Sequence, residues 1–170
     1  MKAAVCRAFG QPMTIEDVQV APPGAGEIRV RLAACAICHS DIFYADGAWG
    51  GDLPLVLGHE AAGIVESVGE GVTATQPGDH VVVTLIRACG GCPSCAGGMP
   101  VTCGTQFPLD AATPIRTTAG EALGHGLRTA GFAEMVTVDH TQAAVIPRDI
   151  PLDSAPPLAC GRIPGFGPAP

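Results

Sequence analysis

Apolar and charged side chains alternate along Gly26-Glu27-Ile28-Arg29-Val30-Arg31-Leu32, as they do in a strand with one wet face and one buried face. Such a strand delivers Cys35 and Cys38 to its far end. Upstream, residues 2–8 and 14–20 carry β-branched and apolar residues on either side of Gly10-Gln11-Pro12, which predicts two strands joined by a turn. Downstream, residues 40–45 fit a short helical turn and 47–54 a loop that holds Trp49. A strand is expected over 58–68, and another opens at His80, itself read as a surface turn histidine. Residues 104–130 are polar and irregular, a long loop in which His125 is most simply a loop residue. Strands return at 131–138 and 143–146, and 152–158 predicts a helical turn interrupted by Pro156 and Pro157. The segment Gly69-Glu70-Gly71-Val72-Thr73-Ala74 fits a dinucleotide-binding glycine pattern. However, Gln76-Pro77-Gly78-Asp79 follows at once and leaves no helix N-terminus for a phosphate, so a strand-to-strand turn is expected there.

Composition sharpens this picture. A chain of 170 residues, 47% of them apolar, buries one core, so one domain with room for a small lobe is expected. With 23 glycines and 16 prolines the chain is punctuated too often for long helices, which favours short strands and turns. A net charge of −7 and a pI near 5.0 leave no basic face for nucleic acid or an anionic membrane surface. The start, Met-Lys-Ala-Ala-Val-Cys-Arg-Ala, has no apolar signal core, and no run reaches the length of a membrane span, so a cytoplasmic protein is expected. In that setting the C-x-x-C spacing among eight cysteines points to metal rather than disulfides.

Cys89, Cys92, Cys95 and Cys103 form the strongest local signal. Four thiolates at this spacing, with glycines between them, close a tetrahedral shell around one Zn²⁺ and leave no room for substrate, which makes the site structural. A redox-active C-x-x-C pair would need a βαβ context that the pattern lacks. The stretch from Cys38 to Glu60 gathers a thiol, imidazoles, a hydroxyl and carboxylates around an apolar loop. Cys38 and His59 suit zinc, with Cys160 in Leu-Ala-Cys-Gly as candidate third ligand and a fourth position open. Cys6 and Cys35 have no ligand spacing and are expected to be small buried thiols.

On Cys38-His39-Ser40-Asp41, on Gly58-His59-Glu60-Ala61-Ala62-Gly63 followed by Gly69 and Val72, and on the four-cysteine block, the sequence resembles the zinc-dependent medium-chain alcohol dehydrogenases over nearly its whole length. The resemblance implies a mainly β fold: a GroES-like, partly open β-barrel over 1–160 with short helices and a zinc lobe at 88–104. It implies two zinc ions per chain, a catalytic one on Cys38, His59 and Cys160 and a structural one on Cys89, Cys92, Cys95 and Cys103. The implied reaction oxidises a small alcohol to an aldehyde or ketone by hydride transfer to NAD or NADP, in a full-length protein that forms a homo-oligomer.

The same resemblance assigns further roles, each beside a plainer reading. Ser40 would relay the alcohol proton, or else cap a helix. Relatives continue the relay through a histidine where this chain has Phe43, so here the relay is shorter or ends in solvent. Asp41 would accept from His59 and fix its tautomer. Glu60 would sit behind the metal, or else be a surface carboxylate. His39 would contact the cofactor pyrophosphate, or else face solvent. Trp49, eleven residues past Cys38, and Leu85 would wall the substrate pocket, or else be core.

The match to the family stops near Cys160. Residues 161–170 keep a Gly-x-Gly but place Pro164 where relatives have a threonine, and Pro168 and Pro170 oppose the crossover helix towards a nicotinamide-binding Rossmann domain. On this reading the chain is the catalytic half of a dehydrogenase, truncated and inactive alone. Two other readings stand beside it: a non-catalytic zinc-binding β module and a GroES-like interaction domain.

Overall fold

The computed structural model describes residues 1–162. In chain order, β1 (Lys2–Cys6) and β2 (Thr14–Val20) form the expected antiparallel pair, with Lys2 opposite Asp17 and Val5 opposite Thr14. β3 (Glu27–Ala36) realises the alternation that marks it: Ile28 and Val30 are fully buried, while Arg29 is half-buried and Arg31 exposed. There follow α1 (His39–Ala45), β4 (Leu55–Val56), β5 (Glu60–Val68) and β6 (His80–Val83). The cysteine block holds α2 (Pro93–Ala96), and α3 (Pro108–Ala111) follows it. The remaining strands are β7 (Ile115–Thr117), β8 (Gly124–His125), β9 (Met135–Asp139) and β10 (Ala143–Val145), and Pro156–Ala159 form a 3-10 turn.

Two five-stranded sheets result, ordered β7-β2-β1-β4-β8 and β10-β6-β5-β3-β9, and all pairings are antiparallel except β4 with β8. The chain entering β9 stitches them together. Ala133 bridges Ala3, and Ala4 N donates to Phe132 O at 2.8 Å, so the sheets close into a barrel-like wall. One core cluster gathers Ile28, Val30, Ala61, Val65, Val81, Val83, Val136 and Val138 between β3, β5, β6 and β9. Burying a side chain of this size stabilises by about 1.5–3 kcal/mol each, so the valine-rich strands hold the sheet without help from long helices. Among the described residues no helix is long and apolar enough to cross a membrane.

Several expectations are corrected. Residues 104–130 are not one loop: α3, β7 and β8 lie there, and Ile115 and Leu123 are fully buried in the second core cluster. Short three- and two-residue strands carry too little periodicity to be read in a polar stretch. His125 accordingly belongs to β8, and its Nε2 has no solvent contact. The strand expected from Gly131 begins at Met135, because residues 131–134 turn away to meet β1. His80 opens β6 as expected but is not a surface residue: it is half-buried with an enclosed Nδ1. The glycine pattern at 69–74 is the expected turn, with Gly69 N donating to Glu27 O at 2.8 Å. A Cβ at Gly69 would lie 1.7 Å from Gly24 O, so close backbone approach explains that glycine without a cofactor. Pro164, Pro168 and Pro170, on which the expectation of a broken crossover helix rests, lie outside the described residues.

Candidate metal centre

Two groups of ligand-type side chains converge. In the first, one donor atom each from Cys38, His59, Glu60 and Cys160 lies within 4.8 Å of the others. Three parts of the fold deliver them. β3 ends at Ala36 and leaves Cys38 as the N-cap of α1, with extended backbone (φ −91°, ψ 156°). Gly58, at φ 93°, turns the chain from β4 into β5, so that His59 and Glu60 follow at the start of the strand. A side chain at Gly58 would place its Cβ 2.7 Å from Phe132 N, so this turn needs glycine twice over. Cys160 follows the 3-10 turn, whose Ala159, with Ala155 beside it, packs on Ala62 of β5 and Val82 of β6.

Asp41 ties the first two segments together from a position with 1% exposure. Its Oδ2 accepts from Cys38 N and its Oδ1 from Gly58 N, each at 3.0 Å, and Oδ1 also lies 3.0 Å from His59 Nδ1. A carboxylate at that distance accepts a hydrogen bond from Nδ1–H and leaves the Nε2 lone pair as the outward acceptor. His59 Nε2 is buried and has no hydrogen-bond partner among the described residues. Leaving such a group unpaired costs about 1–3 kcal/mol, and a metal ion relieves that cost. Burial, and then the neighbouring Cys38 and Glu60, push the Cys160 thiol up to about 11. Two sulfurs, an imidazole nitrogen and a carboxylate form a donor set that fits zinc.

The other sequence-singled residues fall unevenly around this group. Ser40 is not the helix cap, a position Cys38 occupies, and its hydroxyl makes no hydrogen bond among the described residues. Glu60 is not a surface carboxylate: it is 3% exposed and stands within the donor set. His39 faces solvent with its ring 4.7 Å from that of Phe43. Trp49 is not core: it is 56% exposed and leans on Tyr44 and Phe43, with ring centroids 5.9 and 6.5 Å away. Leu85 lines an apolar cavity of about 420 Å³ together with Val82, Val101, Leu158 and Cys160; Trp49 does not.

The second group is the cysteine lobe, where the sulfurs of Cys89, Cys92, Cys95 and Cys103 also lie within 4.8 Å of one another. Pro93 opens α2 directly after Cys92, and the turn brings Cys95 back towards its neighbours. The Thr105 hydroxyl, 3.0 Å from Cys89 Sγ, and then the Gly91 and Cys92 backbone N–H groups pull the Cys89 thiol down to about 6, while burial raises Cys95 to about 11. Sequence reasoning missed what holds the lobe to the barrel. Arg87, 3% exposed, pairs with Asp110 of α3 and lies 4.6 Å from the Phe107 ring, while Ala88 N donates to Thr141 Oγ1 at 3.2 Å. Nothing in spacing or residue type links Arg87 to Asp110 in advance.

Residues 24–148 match the model of the alcohol dehydrogenase GroES-like domain. The chain belongs to that family. This GroES-like domain is 41% identical over 181 residues to a class-3 alcohol dehydrogenase of Oryza sativa subsp. japonica, covering 98% of this chain and 46% of the relative. The class-3 enzyme of Pisum sativum is 40% identical with the same coverage. Among solved structures, an alcohol dehydrogenase zinc-binding domain protein from Burkholderia ambifaria has a TM-score of 0.87 at 39% identity, covering 94% of this chain and 45% of that one. The benzyl alcohol dehydrogenase of Acinetobacter calcoaceticus follows with a TM-score of 0.80 at 30% identity, over 94% and 44%. The domain thus spans about half the length of the relatives it matches.

Proposed function

We propose that this chain is the metal-binding half of a zinc-dependent alcohol dehydrogenase, which oxidises an alcohol to an aldehyde or ketone by hydride transfer to NAD or NADP. The observation that carries this reading is the orphaned His59 Nε2 within reach of Cys38, Glu60 and Cys160. Zinc, when bound there, supplies Lewis-acid polarisation of a substrate oxygen. Cys38, His59 and Cys160 hold it, and two thiolates with one neutral imidazole make the set charge-matched to a divalent cation. Glu60 stands behind them as a buried carboxylate.

The rest of the work falls to neighbouring side chains. Asp41 holds the His59 ring in one tautomer and fixes the Cys38 and Gly58 backbones around it. Ser40, two residues beyond Cys38 and without a competing hydrogen bond, accepts the proton of the substrate hydroxyl and hands it to water. Phe43 carries no proton, so the relay is short. Leu85 and the apolar cavity beside Cys160 seat the substrate carbons, with Trp49 outside that cavity, and His39, exposed on α1, meets the cofactor pyrophosphate. Cys89, Cys92, Cys95 and Cys103 hold a second, structural zinc. The full-length enzyme is a cytoplasmic homo-oligomer that acts on a small alcohol or aldehyde.

Cobalt(II) in place of zinc tests this without relying on turnover. Two ions per chain with thiolate charge-transfer bands are expected, falling to one in Cys38→Ser. A single ion in the unmutated chain, unaffected by Cys38→Ser, would favour a zinc module without a catalytic centre.

A further inference from the structure

Between β8 and β9 the backbone takes a form that its residues resist. Leu127, Arg128 and Ala130 stand at φ 49°, 60° and 55°, the left-handed region in which a side chain crowds the backbone and glycine is at ease. Three such residues within four positions persist only where the surroundings over-determine them. The residues that follow show what this conformation delivers. Gly131 N donates to Gly58 O and Phe132 N to Leu57 O, each at 2.8 Å, on the turn directly before His59. Gly58 N in turn meets Asp41 Oδ1 at 3.0 Å, the atom that also lies 3.0 Å from His59 Nδ1.

The restraint comes from Gln142, which is fully buried at the end of the 3-10 turn after β9. Its Nε2 donates to Arg128 O at 3.0 Å and to Thr84 O at 2.7 Å, and its Oε1 accepts from Asp139 N at 3.3 Å. Thr84 follows β6 and leads into Leu85, on the cavity beside Cys160. One side chain thus joins the cavity wall to the strained segment. A weaker hold comes from Asp110, 3.9 Å from Arg128 Nε and itself paired with the buried Arg87. We propose that Gln142 is a positioning residue for the zinc site at His59. It keeps residues 127–130 left-handed, and so keeps Gly131 and Phe132 bonded to the turn that carries His59. Gln142 acts through the Arg128 carbonyl and is not itself a metal ligand. The inference rests on the reading of His59 as a ligand of a catalytic zinc.

Cobalt(II) titration of the 170-residue chain, together with amide hydrogen exchange at Gly131 and Phe132 in the metal-free protein, tests it. Gln142→Leu is expected to lower cobalt affinity at the His59 site by roughly tenfold or more, to leave the four-cysteine lobe unchanged, and to speed exchange at both amides. Adding Arg128→Gly should recover the affinity without restoring the hydrogen bond, because glycine holds the left-handed conformation unaided. A second series needs no buried change, since the Arg128 side chain is 55% exposed. Arg128→Gly alone should bind at least as tightly as the unmutated chain and Arg128→Val more weakly, because a β-branched side chain tolerates positive φ least. The proposal is overturned if Gln142→Leu folds and keeps its affinity, if Arg128→Gly fails to recover the loss, or if Arg128→Val binds as the unmutated chain does. An equal loss from the lobe would assign Gln142 to global stability and overturns it as well. Absence of cobalt at His59 in the unmutated chain, before any variant is made, would overturn the dehydrogenase reading and this proposal together.

Discussion

The four-cysteine lobe and the buried group around His59 bring the same chemistry together in opposite ways. The lobe draws every sulfur from one short stretch, at positions from half-buried to exposed, and its turns are set by glycines and Pro93. The other group draws on the end of β3, the start of β5 and the turn before Cys160, and its histidine and glutamate are buried. On the proposed reading, an ion in the lobe couples metal binding to local folding, because all four of its ligands lie in one loop. Around His59 the donors sit on a barrel whose valine-rich strands form a core of their own. The first arrangement suits a metal coupled to folding, and the second a replaceable, reactive one.

The largest expected effect separates them by stability. Cys92→Ser should cost the zinc-replete protein about 3 kcal/mol or more, since a structural zinc contributes on the order of 10 kcal/mol and three ligands retain only part of it. His59→Ala should remove one ion per chain with a smaller loss of stability. Thermal melts alongside zinc stoichiometry decide this, and the reverse order would exchange the structural and catalytic roles.

A middle-sized effect isolates Asp41. Asp41→Asn keeps the shape but weakens acceptance from three groups, so zinc affinity at the His59 site should fall by roughly 10–100-fold while the lobe keeps its ion. Chelator competition on the single-ion Cys92→Ser background resolves which site has changed. Equal loss from both sites in the unmutated background would mean that Asp41 acts on the whole fold.

A third effect, on the pH dependence of stability rather than on metal, lies at the junction where the lobe meets the barrel. Burial above all, with Arg87 adding to it against a pull from the Thr129 backbone, lowers His125 to about 4. The unfolded chain binds a proton there near the ordinary histidine value while the folded protein does not, so stability rises with pH across that interval. It should be complete above about pH 6.5 and decline towards pH 4 by roughly 2–3 kcal/mol. His125→Gln flattens that part of the profile in denaturant titrations. An unchanged slope would assign acid sensitivity to the carboxylates instead.

The sequence was most informative where the chemistry is local. The alternation in β3, the hairpin of β1 and β2 and the cysteine spacing each depend on neighbours in the chain, so periodicity and residue type sufficed. Cys38, His59 and Cys160 are candidates by their ligand chemistry, and the family resemblance joins them in one site, since spacing alone cannot say that residues so far apart meet. The strands β7 and β8 escaped notice because two or three residues make no period, and their burial comes from partners elsewhere in the sheet.

What the sequence determined by itself was the set of candidate ligand residues and the longer strands, because those follow from side-chain chemistry and the two-residue repeat of a pleated chain. Only the tertiary structure decided that Glu60 is enclosed with the donors, that Asp41 pins two segments at once, and that Arg87 clamps the lobe through Asp110. Each of these depends on which distant backbone happens to lie alongside. That is fixed by the closing of the two sheets on each other, a property of the packed whole that no window of sequence contains.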